Sequence, residues 1–213
     1  MNNKKLKTFI WGGKSKLRIL IPYLAEIARK PDYVYDPYLK NLDFEIEGKH
    51  FNKEIDISKF ASMCDSFVVA IGSDGYRRYN IAELLKNKYN LKPIDIINKR
   101  AYICSTSSYG EGLMMMPGSV LHSYSKVGDQ CIINTNASVD HECELGNGVH
   151  IMGGAVVTGR VKINDFAVIG SNAVILPDLE IGEGSTIGAG AVVTKNVKKG
   201  DTVLGVPARK YEK

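Results

Sequence analysis

The sequence predicts a Rossmann-like α/β domain over residues 1–100, followed by a parallel β-helix of hexapeptide repeats over residues 101–213. Two observations predict it. Glycines number five in residues 1–102 and sixteen in 103–213, while aromatics run fourteen against four, a shift that marks a domain boundary near residue 100. Through the second half, aliphatic residues recur at every sixth position.

The first half alternates strand-like and helix-like segments. Residues 7–11 form a short apolar run ending at Gly12-Gly13. Residues 14–29 have helical spacing (Leu17, Leu20, Leu24, Ile27), and Pro22 is expected to kink or delay that helix. Residues 33–36 read as a second strand. Residues 67–72 read as a third, continuously apolar and so central in a parallel sheet. Ser73 is placed to cap the next helix, 74–89, with Ile81, Leu84 and Leu85 on one face. Ligands of such sheets sit beyond the carboxyl ends of the strands, here at Gly12, Gly13, Lys14, Ser15, Asp36, Gly72 and Ser73. Gly12 to Ser15 is neither GxGxxG nor a P-loop. Exposed amides with a lysine at a helix start nevertheless suit a phosphate.

From Val127 the six-residue frame runs through Ile133, Val139, Leu145, Ile151 and Val157 to Val193, with all twelve positions aliphatic. Backwards it reaches Leu121, Met115, Tyr109 and Ile103. Positions two before each aliphatic are small or apolar, and the position just after is often glycine (Gly128, Gly146, Gly170, Gly182, Gly188). Neither a helix nor simple alternation has this period; a β-helix does. Three strands make one coil of 18 residues, so residues 103–198 give roughly five coils and a prism roughly 25 Å long. Its apolar faces predict self-association, and a trimer would form clefts between neighbours.

The remaining composition narrows the function. No apolar run approaches a membrane span. The basic start leads only into the run 8–11, too short for a signal-peptide core, so a cytoplasmic location is expected. The charge of +5 is dispersed, with no nucleic-acid motif; it suits phosphorylated small molecules and a solvated face equally. Cys64, Cys104, Cys131 and Cys143 lack CxxC spacing, which favours reduced thiols over zinc or redox motifs.

Of the four histidines, His50 is isolated, and His122 should point outward. His150 precedes inward Ile151 and so should point out from a flat face. His141 and Glu142 fall on a corner of the triangle, and one coil beyond His141 is Gly159. A corner imidazole beside a bare glycine backbone is what acyl transfer needs. Neutral imidazole removes a proton from an attacking nucleophile. Backbone N–H groups receive the oxyanion. Glu142 either orients His141 or pairs with Arg160, one coil beyond it. A zinc site needs three ligands, and His141 and His150, half a coil apart, do not stack, so no metal is expected.

The stretch Ile133-Asn134-Thr135-Asn136-Ala137-Ser138-Val139-Asp140-His141-Glu142-Cys143 resembles the corresponding stretch of the NeuD/PglD family of sialic-acid O-acetyltransferases and nucleotide-linked amino-sugar N-acetyltransferases. Residues 67–72, 116–120 and 205–209 are similar too, so the resemblance covers nearly the whole chain. It implies a left-handed β-helix, a homotrimer with acetyl-CoA bound between adjacent prisms, and an N-terminal sugar-nucleotide domain. His141 matches the general base, with Glu142 as its acidic support. His150 and Gly159 match groups near the thioester, and Gly205, Pro207 and Arg209 lie toward the pantetheine and phosphate end. The first turn, Gly12-Gly13-Lys14-Ser15, and Asp36-Pro37 depart from the family pattern, leaving UDP or dTDP as the carrier. The expected activity is acetyl-CoA-dependent N-acetylation of a nucleotide-linked 4-amino-4,6-dideoxy sugar for bacterial surface glycan (O-antigen) synthesis. The amine attacks directly. The alternatives are a sialic-acid-type O-acetyltransferase, a zinc carbonic anhydrase on the same scaffold, or a non-catalytic sugar-nucleotide binder.

Overall fold

A computed structural model describes residues 6–72 and 74–212. The chain divides into two compact units, residues 1–72 with 80–96, and residues 73–79 with 97–213. Residues 73–79, which the sequence places in the first domain, group with the coil.

The first unit is a parallel sheet. Its strands are β1 (Thr8–Trp11), β2 (Pro31–Tyr35), β3 (Lys49–Phe51), β4 (Ser66–Val69) and β5 (Lys92–Pro93), in the order β3-β2-β1-β4-β5. The order reverses between β1 and β4, the point where sheets of this kind open a ligand crevice. Helix α1 (Ser15–Glu26) begins one residue later than its spacing predicts. It runs through Pro22 and stops before Ala28, whose φ of 54° breaks the helical path. Its buried face is Leu17, Leu20 and Leu24. Helix α2 (Ile57–Ala61) and the part of α3 (Gly75–Tyr89) in this unit cover the sheet with Phe60, Ile81, Ala82 and Leu85 against Phe9, Tyr35, Phe51 and Phe67. Leu84, expected on that face, is 40% exposed, because the buried stripe runs through Ala82 instead. The predicted cap Ser73 lies outside the described residues; Asp74 caps α3, its Oδ1 accepting the Arg77 N–H at 2.8 Å.

In the second unit, two-residue strands repeat around three sheets, and as far as Val193 each pairs in parallel with the one 18 residues on, as a left-handed β-helix requires. In the last coil the step shortens, Thr186 pairing with Thr202, and Thr202–Leu204 pairs antiparallel with Arg209–Lys210. The first face runs from Tyr102–Ile103 to Val192–Val193, and the second from Ser108–Tyr109 to Glu180–Ile181. The third includes Met114–Met115, Ile132–Ile133, His150–Ile151 and Thr186–Ile187. The second residue of each strand points inward, and from Met115 to Val193 these residues form one continuous core. The frame frays at its start. Ile103 is half-buried and Tyr109 is 40% exposed, since no strand pairs on the outer side of either.

Corners carry a second period of six. Residues from Gly112 to Gly190 adopt left-handed φ at each corner, including Glu142 (58°), Arg160 (60°) and Asp178 (61°). A side chain in this region costs roughly 1 kcal/mol. Stacking offsets it: the N–H groups of Glu142, Arg160 and Asp178 donate to Ser123, His141 and Gly159 carbonyls at 3.0, 2.9 and 3.2 Å. Glycines just after the inward aliphatic have another cause. A Cβ on Gly146 would collide with the Asp165 carboxylate, which accepts the Asn147 N–H at 2.7 Å.

The outer surfaces of the faces differ. Along the second, Lys126, Glu144, Lys162 and Glu180 alternate in charge and face solvent. Along the first, the outward column is Tyr102, Val120, Ser138, Val156, Val174 and Val192. No helix among the described residues is long and apolar enough to cross a membrane.

Ile169 is fully buried, stacked between Ile151 and Ile187. Ile169→Ala should lower stability by about 2–5 kcal/mol, read as a shift in the denaturation midpoint with unchanged slope.

Candidate active site

The corner between Val139 and Glu144 presents His141 and Glu142, whose side chains are 39% and 55% exposed and so open to a ligand. His141 is held from both sides. Its backbone N–H donates to Asp140 Oδ1 at 2.8 Å, and its carbonyl accepts the Arg160 N–H at 2.9 Å. Its Nδ1 lies 2.9 Å from Glu142 Oε2. A carboxylate only accepts, so Nδ1 carries a proton, and in the neutral ring the lone pair is then on Nε2. Of the two partners the sequence leaves open for Glu142, the structure selects His141. Arg160 instead turns to Asp178, with Nε–Oδ1 at 2.6 Å and Nη2–Oδ2 at 2.8 Å.

Gly159 stacks on His141 as the coil arithmetic requires. A Cβ on it would sit 2.5 Å from His141 Nε2 and 2.6 Å from Cε1, so the space beside the basic nitrogen exists because residue 159 has no side chain. At the equivalent corner position one coil earlier, the residue before the histidine supplies an acceptor to its N–H. Thr158 supplies none, because its hydroxyl donates to the Ile175 carbonyl at 2.6 Å. No acceptor among the described residues meets the Gly159 N–H. An imidazole nitrogen thus lies beside a glycine whose N–H meets no acceptor among the described residues, the two kinds of group an acyl-transfer transition state uses. Thr158 was not singled out by sequence; the signal was a threonine where the coil before has Asp140.

No thiol nearby is set up as a nucleophile. Burial pushes the Cys143 thiol up to about 11 and the Cys131 thiol up to about 12, so both stay protonated at neutral pH. Cys64 is also raised to about 12 by burial, and all four cysteines are free.

His150 does not behave as its position suggests. It points out from its face yet is buried (5% exposed), its Nε2 3.4 Å from Asn134 Nδ2. Beside it, the first turn of α3 lies against the coil. There Arg78, itself fully buried, donates from Nε to the Gln130 carbonyl at 2.7 Å and from Nη2 to the Gly148 carbonyl at 2.9 Å. Within one chain His150 lies on another face from His141. Gly205, Pro207 and Arg209 lie at the last coil. The Gly205 carbonyl accepts the Val192 N–H at 3.0 Å, the Ala208 N–H donates to Val192 at 2.7 Å, and the exposed Arg209 side chain bonds the Ala208 carbonyl. That places them three coils along the first face from Ser138.

In the first unit, the residues expected to bind the nucleotide gather at the carboxyl ends of β1, β2 and β4. Gly12 has φ 111°, and a Cβ there would lie 2.8 Å from the Ala70 carbonyl oxygen. Asp36 is buried; its Oδ2 accepts the Gly13 N–H at 2.8 Å and its Oδ1 the Tyr38 N–H at 2.9 Å, so it braces two turns. Lys14 and Ser15 line a cavity of about 280 Å³ with Arg18, Leu39, Asn41 and Asp43. Sequence reasoning missed Arg18, although it follows Lys14 by one helical turn. Gly72 stands in open space, with no atom within 4 Å of a Cβ placed on it, while Ser73 lies outside the described residues. Among the described residues no group of three or more His, Cys, Asp or Glu side chains is placed to hold a metal ion.

Residues 110–159 and 160–195 match the family model described as bacterial transferase hexapeptide (six repeats), so the coil is a hexapeptide domain of that type. No curated protein matches the chain. Among solved structures, perosamine N-acetyltransferase from Caulobacter crescentus, a histidine-to-asparagine variant in complex with CoA and GDP-perosamine, is 25% identical with a TM-score of 0.87, over 97% of both chains. The acetyltransferase domain of PglB from Neisseria gonorrhoeae FA1090, in complex with acetyl coenzyme A, is 25% identical with a TM-score of 0.86, over 96% of this chain and 98% of that one. WeeI from Acinetobacter baumannii AYE is 28% identical with a TM-score of 0.84, over 97% and 100%. The chain has the two-part architecture of the NeuD/PglD-type hexapeptide proteins that residues 133–143 resemble.

Gly159→Ala tests the shared space. Backbone strain is not at issue at this residue, so the variant should fold with an unchanged unfolding midpoint. The added methyl would meet the His141 ring, so acyl-transfer turnover should fall on the order of 10²-fold.

Proposed function

We propose that this chain is an acetyl-CoA-dependent N-acetyltransferase that acylates the amino group of a nucleotide-linked 4-amino-4,6-dideoxy sugar, with His141 as general base. One observation carries the reading: the Nε2 of a histidine held by Glu142 lies beside the bare backbone of Gly159, whose N–H meets no acceptor among the described residues. The full-length likeness to sugar acetyltransferases crystallised with CoA species supports it.

The sugar amine attacks the thioester carbonyl carbon of acetyl-CoA, forming the C–N bond. His141 Nε2 takes the proton the amine sheds, and Glu142 holds the resulting imidazolium through Nδ1–H. The Gly159 N–H donates to the carbonyl oxygen as it gains charge. Collapse breaks the C–S bond, the thiolate leaves, and it takes up the proton carried on His141 Nε2, which restores the neutral base. With the nearby thiols buried and protonated, both substrates bind before reaction and no acetyl-enzyme forms.

The sugar nucleotide is taken up at the turn of Gly12, Gly13, Lys14 and Ser15, with Asp36 bracing that turn and Gly72 beyond the end of β4. The expected carriers were UDP or dTDP; the Caulobacter enzyme's GDP-perosamine adds a purine carrier to those worth assaying. Acetyl-CoA runs along the first face, from His141 toward Gly205, Pro207 and Arg209, three coils or roughly 14 Å away. The largely aliphatic column of that face packs against an adjacent copy in a homotrimer, and His150 reaches a thioester only from such a copy. The product enters surface-glycan synthesis. Free thiols fit the reducing cytoplasm as the compartment.

His141→Ala should keep the oligomeric state of the parent and lose turnover by roughly 10²–10⁴-fold. Near-parental turnover would remove His141 from the base role. Amine and hydroxyl forms of one sugar nucleotide, assayed side by side, should give product from the amine alone. Acetylation of the hydroxyl form would favour an O-acetyltransferase.

A further inference from the structure

Glu142, Arg160 and Asp178 occupy one corner position in three successive coils, all in the left-handed region, with φ of 58°, 60° and 61°. Stacked residues of this kind lie about 4.8 Å apart. Arg160 therefore stands between two carboxylates, and its planar fork can hold only one of them with two parallel bonds. It holds Asp178. Glu142 remains within electrostatic reach: Asp178 is the main cause that raises the Arg160 guanidinium above its ordinary range, with Glu142 adding to it. The Arg160 hydrogen bond likewise holds the Asp178 carboxyl below its usual range, with a small contribution from His141 in the same direction.

We propose that Asp178 is a positioning residue for the base: by occupying the Arg160 guanidinium, it leaves the Glu142 carboxylate to His141. Without Asp178, Arg160 turns to the other carboxylate in its column and draws Glu142 away from Nδ1. The imidazole then no longer keeps its proton on Nδ1, and Nε2 is protonated part of the time and useless as a base. An ordinary surface ion pair would have no such effect, and by itself it adds little to stability. The inference rests on the reading of His141 as base, and its test is built to fail separately.

Asp178→Asn should leave the unfolding midpoint and both KM values unchanged and lower kcat on the order of tenfold. The ¹⁵N spectrum of His141, assigned by difference against His141→Ala, should show Nδ1 protonated in the parent and a mixture of tautomers in Asp178→Asn. Adding Arg160→Gln to Asp178→Asn removes the competitor for Glu142, so the double variant should recover most of the lost kcat and the single tautomer. Parental kcat and tautomer in Asp178→Asn would overturn the proposal, as would a double variant as slow as the single one. If His141→Ala retains turnover, the base assignment falls instead, and the tautomer comparison still decides whether Asp178 governs the Glu142–His141 bond.

Discussion

One inward aliphatic side chain in every six, stacked on its equivalents one coil below and above, is the constraint on which the rest of the coil depends. Ile133, Ile151, Ile169 and Ile187 form such a column, all fully buried. Each adds dispersion contacts above and below, and the two-residue strands contribute only enough backbone pairing to keep the spacing. Because the stack fixes rise and rotation together, residues 18 apart between Tyr102 and Val193 are neighbours. His141 meets Gly159 through that fixed spacing, with no special loop to bring them together.

The corners are where the coil pays for its regularity, and the candidate site lies on one. Left-handed φ at Glu142 and Arg160 is held by amide-to-carbonyl bonds between coils, which leaves both side chains to project from the edge. Edge positions stack in columns as the core does, so charge in one coil is felt in the next. Thr158 shows how small a departure matters: its hydroxyl turns to the Ile175 carbonyl, and the next residue keeps an open N–H.

Much of this was legible in the sequence because a period is a global signal. The aliphatic frame, the corner placement of His141 and its stacking on Gly159 all follow from counting. The partner of Glu142 did not follow, because it depends on Asp178, two coils away from Glu142, and on which of two carboxylates a guanidinium faces. The burial of His150 was not legible either. The turn beside it, with Arg78, comes from residues 73–79, far away in sequence and read as part of the other domain. In the first unit, the glycine turn and Asp36 stood out at strand ends. Asn41 and Asp43, which line the neighbouring cavity, lie in an irregular stretch where no periodicity marks which side chains converge.

The most direct test is the amide resonance of Gly159 in the presence of a tetrahedral phosphonate analogue that joins CoA to an amino-sugar nucleotide. A donor that serves the reacting carbonyl oxygen should move strongly downfield as it bonds the phosphonate oxygen, while His141 becomes protonated at both nitrogens. An analogue that binds tightly yet leaves the Gly159 amide and the His141 ring unmoved would contradict acyl transfer at this corner.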